Sequence, residues 1–105
     1  MQTLKVSSGS DPGATAGAIA NGIRECGTAE IEVIGPRAVN QAVKAIAIAR
    51  GYLAASGVDV YCVPNFTSIR MAEGDQERTA IHFSVRTRHE VFGAEASIPE
   101  DLPEF

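Results

Sequence analysis

The sequence contains no tryptophan, two tyrosines and four phenylalanines in 105 residues. Any core must therefore be assembled from aliphatic and small side chains, with little help from aromatic packing. Cysteine is nearly as scarce. Cys26 and Cys62 stand far apart with no CxxC pair, which excludes a disulfide framework and leaves too few clustered ligands for a zinc site. Two free thiols packed as small hydrophobes, in a reducing compartment, are expected. Long hydrophobic runs are missing too. The longest, Ala45 to Ala49, is far too short to cross a bilayer, and Met1 to Lys5 lacks the apolar stretch of a signal peptide. A cytoplasmic protein without membrane contact is the expectation.

One further absence divides the chain. Its 9 lysines and arginines and 13 acidic residues give a net charge of -4, the opposite sign to a freely basic nucleic-acid binder. All the basic residues, however, fall within 1–88. Residues 89–105 hold Glu90, Glu95, Glu100, Asp101 and Glu104 and no lysine or arginine. The globular part is thus close to neutral and the acidity belongs to the end of the chain. With 45% hydrophobic and 21% charged residues, wholesale disorder is excluded and one compact domain is expected. We assign the domain to 1–88 and an acidic, loosely ordered tail to 89–105, where Pro99 and Pro103 interrupt any regular element.

What is present orders itself as β-α-β-α-β-β. Leu4 and Val6 alternate with Lys5 and Ser7 as a short strand. Asp11 before Pro12 reads as a helix cap, and the helix Pro12–Cys26, rich in glycine and alanine, ends at Gly27. Its intrinsic stability is poor, because each glycine costs about 1 kcal/mol against alanine, so close packing on a sheet must hold it. Ala29 to Ile34 forms a second strand, Gly35-Pro36 a turn, and Arg37 to about Leu53 a second helix whose core face is expected to be Val39, Ala42, Val43, Ile46 and Ala49. A third strand runs from Val58 to about Val63, with Pro64 marking an edge or bulge. Thr67 to Arg78 reads as a long hairpin tip, and Thr79 to Arg86 as a fourth strand. On that strand Ile81, Phe83 and Val85 share one face, and His82, Ser84, Arg86 and Arg88 the other. The fold class is α/β, an α+β two-layer arrangement with a projecting hairpin.

Few residues suggest chemistry. Ser7 to Gly13 links a strand to a helix N-terminus, a setting that favours anions, but it matches neither GxxxxGK[ST] nor GxGxxG. A plain loop with a cap is the alternative. His82 and His89 have no partners at metal or triad spacing, so no catalytic residue, metal or cofactor is expected. The stripe Arg37, Gln41, Lys44, Ile48 and Tyr52 on the second helix mixes polar and apolar side chains. It suits a subunit contact, or a solvated face that tolerates two apolar residues. Arg70, Arg78, Arg86 and Arg88 suit contact with a phosphate backbone, or a sheet face kept from aggregating by charge.

The run from Ile34-Gly35-Pro36-Arg37-Ala38-Val39-Asn40-Gln41 to Ala49-Arg50-Gly51 resembles the stage V sporulation protein S family. So do Leu4-Lys5-Val6-Ser7, Ser56-Gly57-Val58-Asp59-Val60 and Glu77-Arg78-Thr79-Ala80-Ile81. That family is in turn similar to the Alba proteins, small dimeric DNA- and RNA-binding proteins of β-α-β-α-β-β fold. The resemblance implies an Alba-like fold and a nucleic-acid interface at Ser8, Ser10, Arg37, Asn40, Lys44, Arg70, Arg78 and Arg86, the last three on the hairpin arm. It also implies dimerisation through the second helix, in keeping with Gln41, Ile48 and Tyr52. The chain departs from the Alba pattern in its first loop, where Ser7-Ser8-Gly9-Ser10 stands in place of a lysine pair, and in its acidic tip around Glu73 to Asp75.

The function that follows is non-enzymatic binding of DNA or RNA by a regulatory protein. It would act as a homodimer or a higher oligomer. The alternative is a protein–protein adaptor that has kept the fold and lost nucleic-acid binding.

Overall fold

A computed structural model of the chain describes residues 3–70 and 76–88. The tail assigned to 89–105, and with it His89, lies outside the described residues, as does the hairpin tip Glu73–Asp75. The elements are β1 (Leu4–Val6), α1 (Pro12–Cys26), β2 (Thr28–Val33), α2 (Pro36–Ala54), β3 (Val60–Arg70) and β4 (Glu77–Thr87). One mixed sheet has the strand order β1-β2-β4-β3. β1 runs parallel to β2, and the other two pairs are antiparallel.

Local chemistry sets the element boundaries. Asp11 accepts a hydrogen bond from the Ala14 amide at 2.9 Å, with Pro12 at the first helical position. Gly27 ends α1 in the left-handed region at φ 76° and gives its amide to the Ile23 carbonyl, a conformation that a Cβ disfavours. α2 begins differently. Its cap, Gly35, sits at φ 89° with no side-chain hydrogen bond. Pro64 lies within β3, which is the sheet edge, where its missing N–H costs no ladder bond.

Both helices cover one face of the sheet. Ile19 and Ile23 of α1, Ile31 and Val33 of β2, Phe83 and Val85 of β4 and Leu53 of α2 fill the core, together with seven alanines. The buried face of α2 consists of Ala38, Ala42, Ala45, Ala49 and Leu53. Ala42 and Ala49 are buried as expected, and Val39 and Ile46 pack half-buried against the core. The correction is Val43, which is 50% exposed, while Ala38, Ala45 and Leu53 take the buried positions. Alanines let α2 approach α1 and the sheet closely, and that approach, rather than the bulk of the β-branched residues, sets the rotation of the helix.

The hairpin is also longer than the turn composition of Thr67 to Arg78 implies. β3 and β4 pair without interruption from Val60↔Thr87 to Arg70↔Glu77. β2, in contrast, leaves β4 at Val33↔Ile81. Beyond that point β3 and β4 project as a two-stranded arm. The other face of the sheet has no helix over it among the described residues and presents His82, Ser84 and Arg86 beside Glu30 and Glu32, as the alternation on β4 indicates.

Candidate functional site

Two adjoining hollows lie where the ends of β1 and β2 meet the first loop, the start of α2 and the arm. The larger, about 710 Å³, is lined by Lys5, Ser7, Ser8, Glu32, Gly35 to Ala38, Ile69 and Arg70, among others. The smaller, about 370 Å³, is lined by Ser8, Pro36, Arg37, Asn40 and Gln41. Ser8 and Arg37 line both. The first turn of α2 holds no acidic residue and no side-chain cap, so its amides and dipole favour an anion at this place. α1 differs, because Asp11 already occupies its N-terminus.

Of the expected nucleic-acid contacts, Ser8, Arg37 and Asn40 are brought together, with Lys44 one turn further along α2. Lys5, which the sequence reading did not select, joins them. Its place in β1 opposite Glu32, at the mouth of the same cleft, is a register fact that no motif announces. Lys5, Arg37, Lys44 and Arg78 make no ion pair with the described residues. Ser10 has another role. Its hydroxyl accepts from the Ser7 amide at 2.9 Å, and its carbonyl accepts from the Gln41 side-chain amide at 2.9 Å. Ser10 therefore braces the first loop against α2. Arg70 reaches the cleft and lies 3.6 Å from Glu77 across the arm.

Arg86 is held elsewhere, in a cluster on the open sheet face. Its Nε donates to Ser84 Oγ at 3.1 Å, and its terminal nitrogen lies 3.6 Å from Glu30. Glu30 also accepts from the hydroxyls of Ser84 at 3.1 Å and Thr28 at 3.2 Å, while His82 Nε2 stands 2.6 Å from its other oxygen. Partial burial pushes the Glu30 carboxyl up, but the hydrogen bonds from His82, Ser84 and Thr28 outweigh it and hold the group below its ordinary value. Ser84 and His82 share an acceptor rather than each other, so the cluster lacks the nucleophile–base contact of a triad. Among the described residues no three His, Cys, Asp or Glu side chains gather as a metal site. Cys62 is half-buried, and burial, together with the nearby Glu30 charge, raises its thiol, which disfavours a reactive thiolate.

Asp59 collects two more arginines, Arg50 at 2.8 Å and Arg88 at 3.4 Å. The Arg50 hydrogen bond holds its carboxyl below the ordinary value against partial burial. Of the expected dimer residues, Ile48 is 37% and Tyr52 47% exposed, whereas Gln41 is half-buried and engaged with Ser10. Phe66, at 82%, is the most exposed large apolar side chain among the described residues.

These features define a two-layer α+β domain of Alba type. The fold is similar to that of Alba from Thermoplasma volcanium, with a TM-score of 0.55 and 12% identity over 81% of this chain and 99% of that one. Residues 2–88 match the family described as Stage V sporulation protein S (SpoVS). The chain belongs to that family. No helix among the described residues is long and apolar enough to cross a membrane.

Proposed function

We propose that this chain is a non-enzymatic, regulatory nucleic-acid-binding protein that holds the sugar–phosphate backbone of DNA or RNA in the cleft at the start of α2. One observation carries the reading: Lys5 and Arg37, cations without an ion-pair partner among the described residues, gather with Ser8 and Asn40 around an uncapped helix N-terminus, and Lys44, likewise without one, follows Asn40 one turn along α2. Unpaired cations beside free backbone amides are the groups that phosphates use for affinity and register. Arg78 extends the cationic track onto the arm. Arg86 contributes less, because Glu30 and Ser84 already engage it. Dimerisation through α2, by way of Ile48 and Tyr52, completes the reading.

A salt-dependent titration against duplex DNA and single-stranded RNA tests it. Removing one cation from the phosphates lowers the slope of log K against log salt by about 0.9 on duplex DNA. Arg37→Ala should lower it by about that amount, and Arg86→Ala should leave it nearly unchanged. The adaptor reading has an observation of its own, the exposed apolar residues Ile48, Tyr52 and Phe66. Absence of salt-dependent binding to either nucleic acid would favour the adaptor and overturn the proposal.

A further inference from the structure

We infer that residues 89–105 dock in cis on the open face of the sheet, along β3 and β4, as an acidic cover. The domain shared with the family ends at residue 88, and charge changes there. Beyond it come five carboxylates and no lysine or arginine. The chain leaves β4 at Arg88, whose amide donates to the Asp59 carbonyl at 2.8 Å and whose guanidinium lies 5.9 Å from the Tyr61 ring centre. The exit is therefore fixed at the corner of the open face, beside the Tyr61 ring.

Tyr61 and Val63 alternate on that face opposite Arg86 and Ser84, and they are 40% and 42% exposed. Val91 and Phe92 follow the exit by three and four residues and supply apolar side chains of matching kind at matching distance. Further along β4 stands Arg78, without an ion-pair partner among the described residues. Arg88 has an exposed guanidinium and one carboxylate among the described residues, at 3.4 Å. A guanidinium offers five donors, so Arg88 retains capacity for the tail. Glu30 adds little repulsion, since His82, Ser84, Thr28 and Arg86 already surround it. Length is sufficient. Arg78 lies about 30 Å back along the strand from Arg88, at about 3.3 Å per residue, and the tail can span roughly 55 Å when extended.

The docking does not rest on the nucleic-acid reading; only its consequence, competition for Arg78 and the arm, does. The test uses the full chain and a variant with Glu90→Gln, Glu95→Gln, Glu100→Gln, Asp101→Asn and Glu104→Gln. Amide NMR spectra should differ at Tyr61, Val63, His82 and Arg86 as well as within 89–105. The difference should shrink at about 1 M salt, where the Debye length is about 3 Å. Changes confined to 88–105, or centred on the helices, overturn the proposal. A nitroxide on Ser97→Cys, with Cys26→Ser and Cys62→Ala, should broaden the same open-face amides. Broadening that appears only between labelled and unlabelled chains in a mixture overturns docking in cis. The charge variant needs no cysteine change, so it decides the matter if the labelled chain unfolds. A gain in affinity of the charge variant for duplex DNA at low salt adds the competition. Failure of both chains to bind DNA counts against the nucleic-acid reading and leaves the NMR result standing.

Discussion

Replacing Glu30 by alanine removes the acceptor on which the open sheet face converges. Three hydrogen bonds disappear with it: His82 at 2.6 Å, Ser84 at 3.1 Å and Thr28 at 3.2 Å. The His82 bond to a carboxylate contributes about 1.5–3 kcal/mol, and each hydroxyl bond about 1 kcal/mol. His82 is 26% exposed, so water recovers part of its loss, and the desolvation of Glu30 is relieved. Arg86, more than half exposed and 3.6 Å away, adds almost nothing. The net cost is about 2–3 kcal/mol, which for a domain of this size lowers Tm by on the order of 10 °C. Urea unfolding followed by circular dichroism, at about pH 7 and about pH 3, measures it. The folded-state carboxyl is held below its unfolded value, so its contribution is present in full above the unfolded pKa and is lost as pH falls through the folded one. The gap between wild type and Glu30→Ala should therefore narrow at the lower pH. Equal stability at neutral pH, or a gap of the same size at both, would refute the reasoning.

Ala49→Leu should destabilise by about 1–3 kcal/mol in the same urea assay, because Ala49 is fully buried on the alanine face of α2, where added side-chain bulk overpacks the core. Ile48→Glu, placed on a 37% exposed residue, should leave unfolding nearly unchanged while shifting a dimer toward monomer by sedimentation velocity. An unaltered sedimentation coefficient would remove Ile48 from the proposed dimer contact.

Local signals were legible wherever the chain's own chemistry decides. The Asp11-Pro12 start and Gly27 end of α1, the edge position of Pro64 and the alternation of Ile81, Phe83 and Val85 all stand as the sequence implies. The rotation of α2 did not follow from hydropathy, which weighs Val43 above Ala38 and Ala45. Burial on α2 is decided by how closely two helices and a sheet approach, and there a methyl group fits where an isopropyl group does not. The composition of Ala72-Glu73-Gly74-Asp75 implies a hairpin tip from Thr67 to Arg78, yet cross-strand pairing from Thr67↔Ala80 to Arg70↔Glu77 holds both sides of the arm extended. The site was legible in part for a related reason. Arg37 and Asn40 are neighbours along α2, but Lys5 reaches the cleft and Arg86 reaches Glu30 only through strand register, which the sequence leaves open.

The arm has a mechanical consequence. Past Ile81 and Phe66 it is a beam clamped at one end, with four residue pairs carried by their own ladder and no third strand beside them among the described residues. A two-stranded ribbon of this kind has little stability of its own, so its order is inherited from the clamp. Deflection grows with distance from the clamp and leaves Ile31, Val33 and Val85 unmoved. Arg78 and Arg70 ride on the beam, while Lys5, Arg37 and Lys44 stay with the block that holds it. The spacing between these two sets of cations is thus the soft coordinate of the molecule, set by bending at a hinge line and not by repacking of the core.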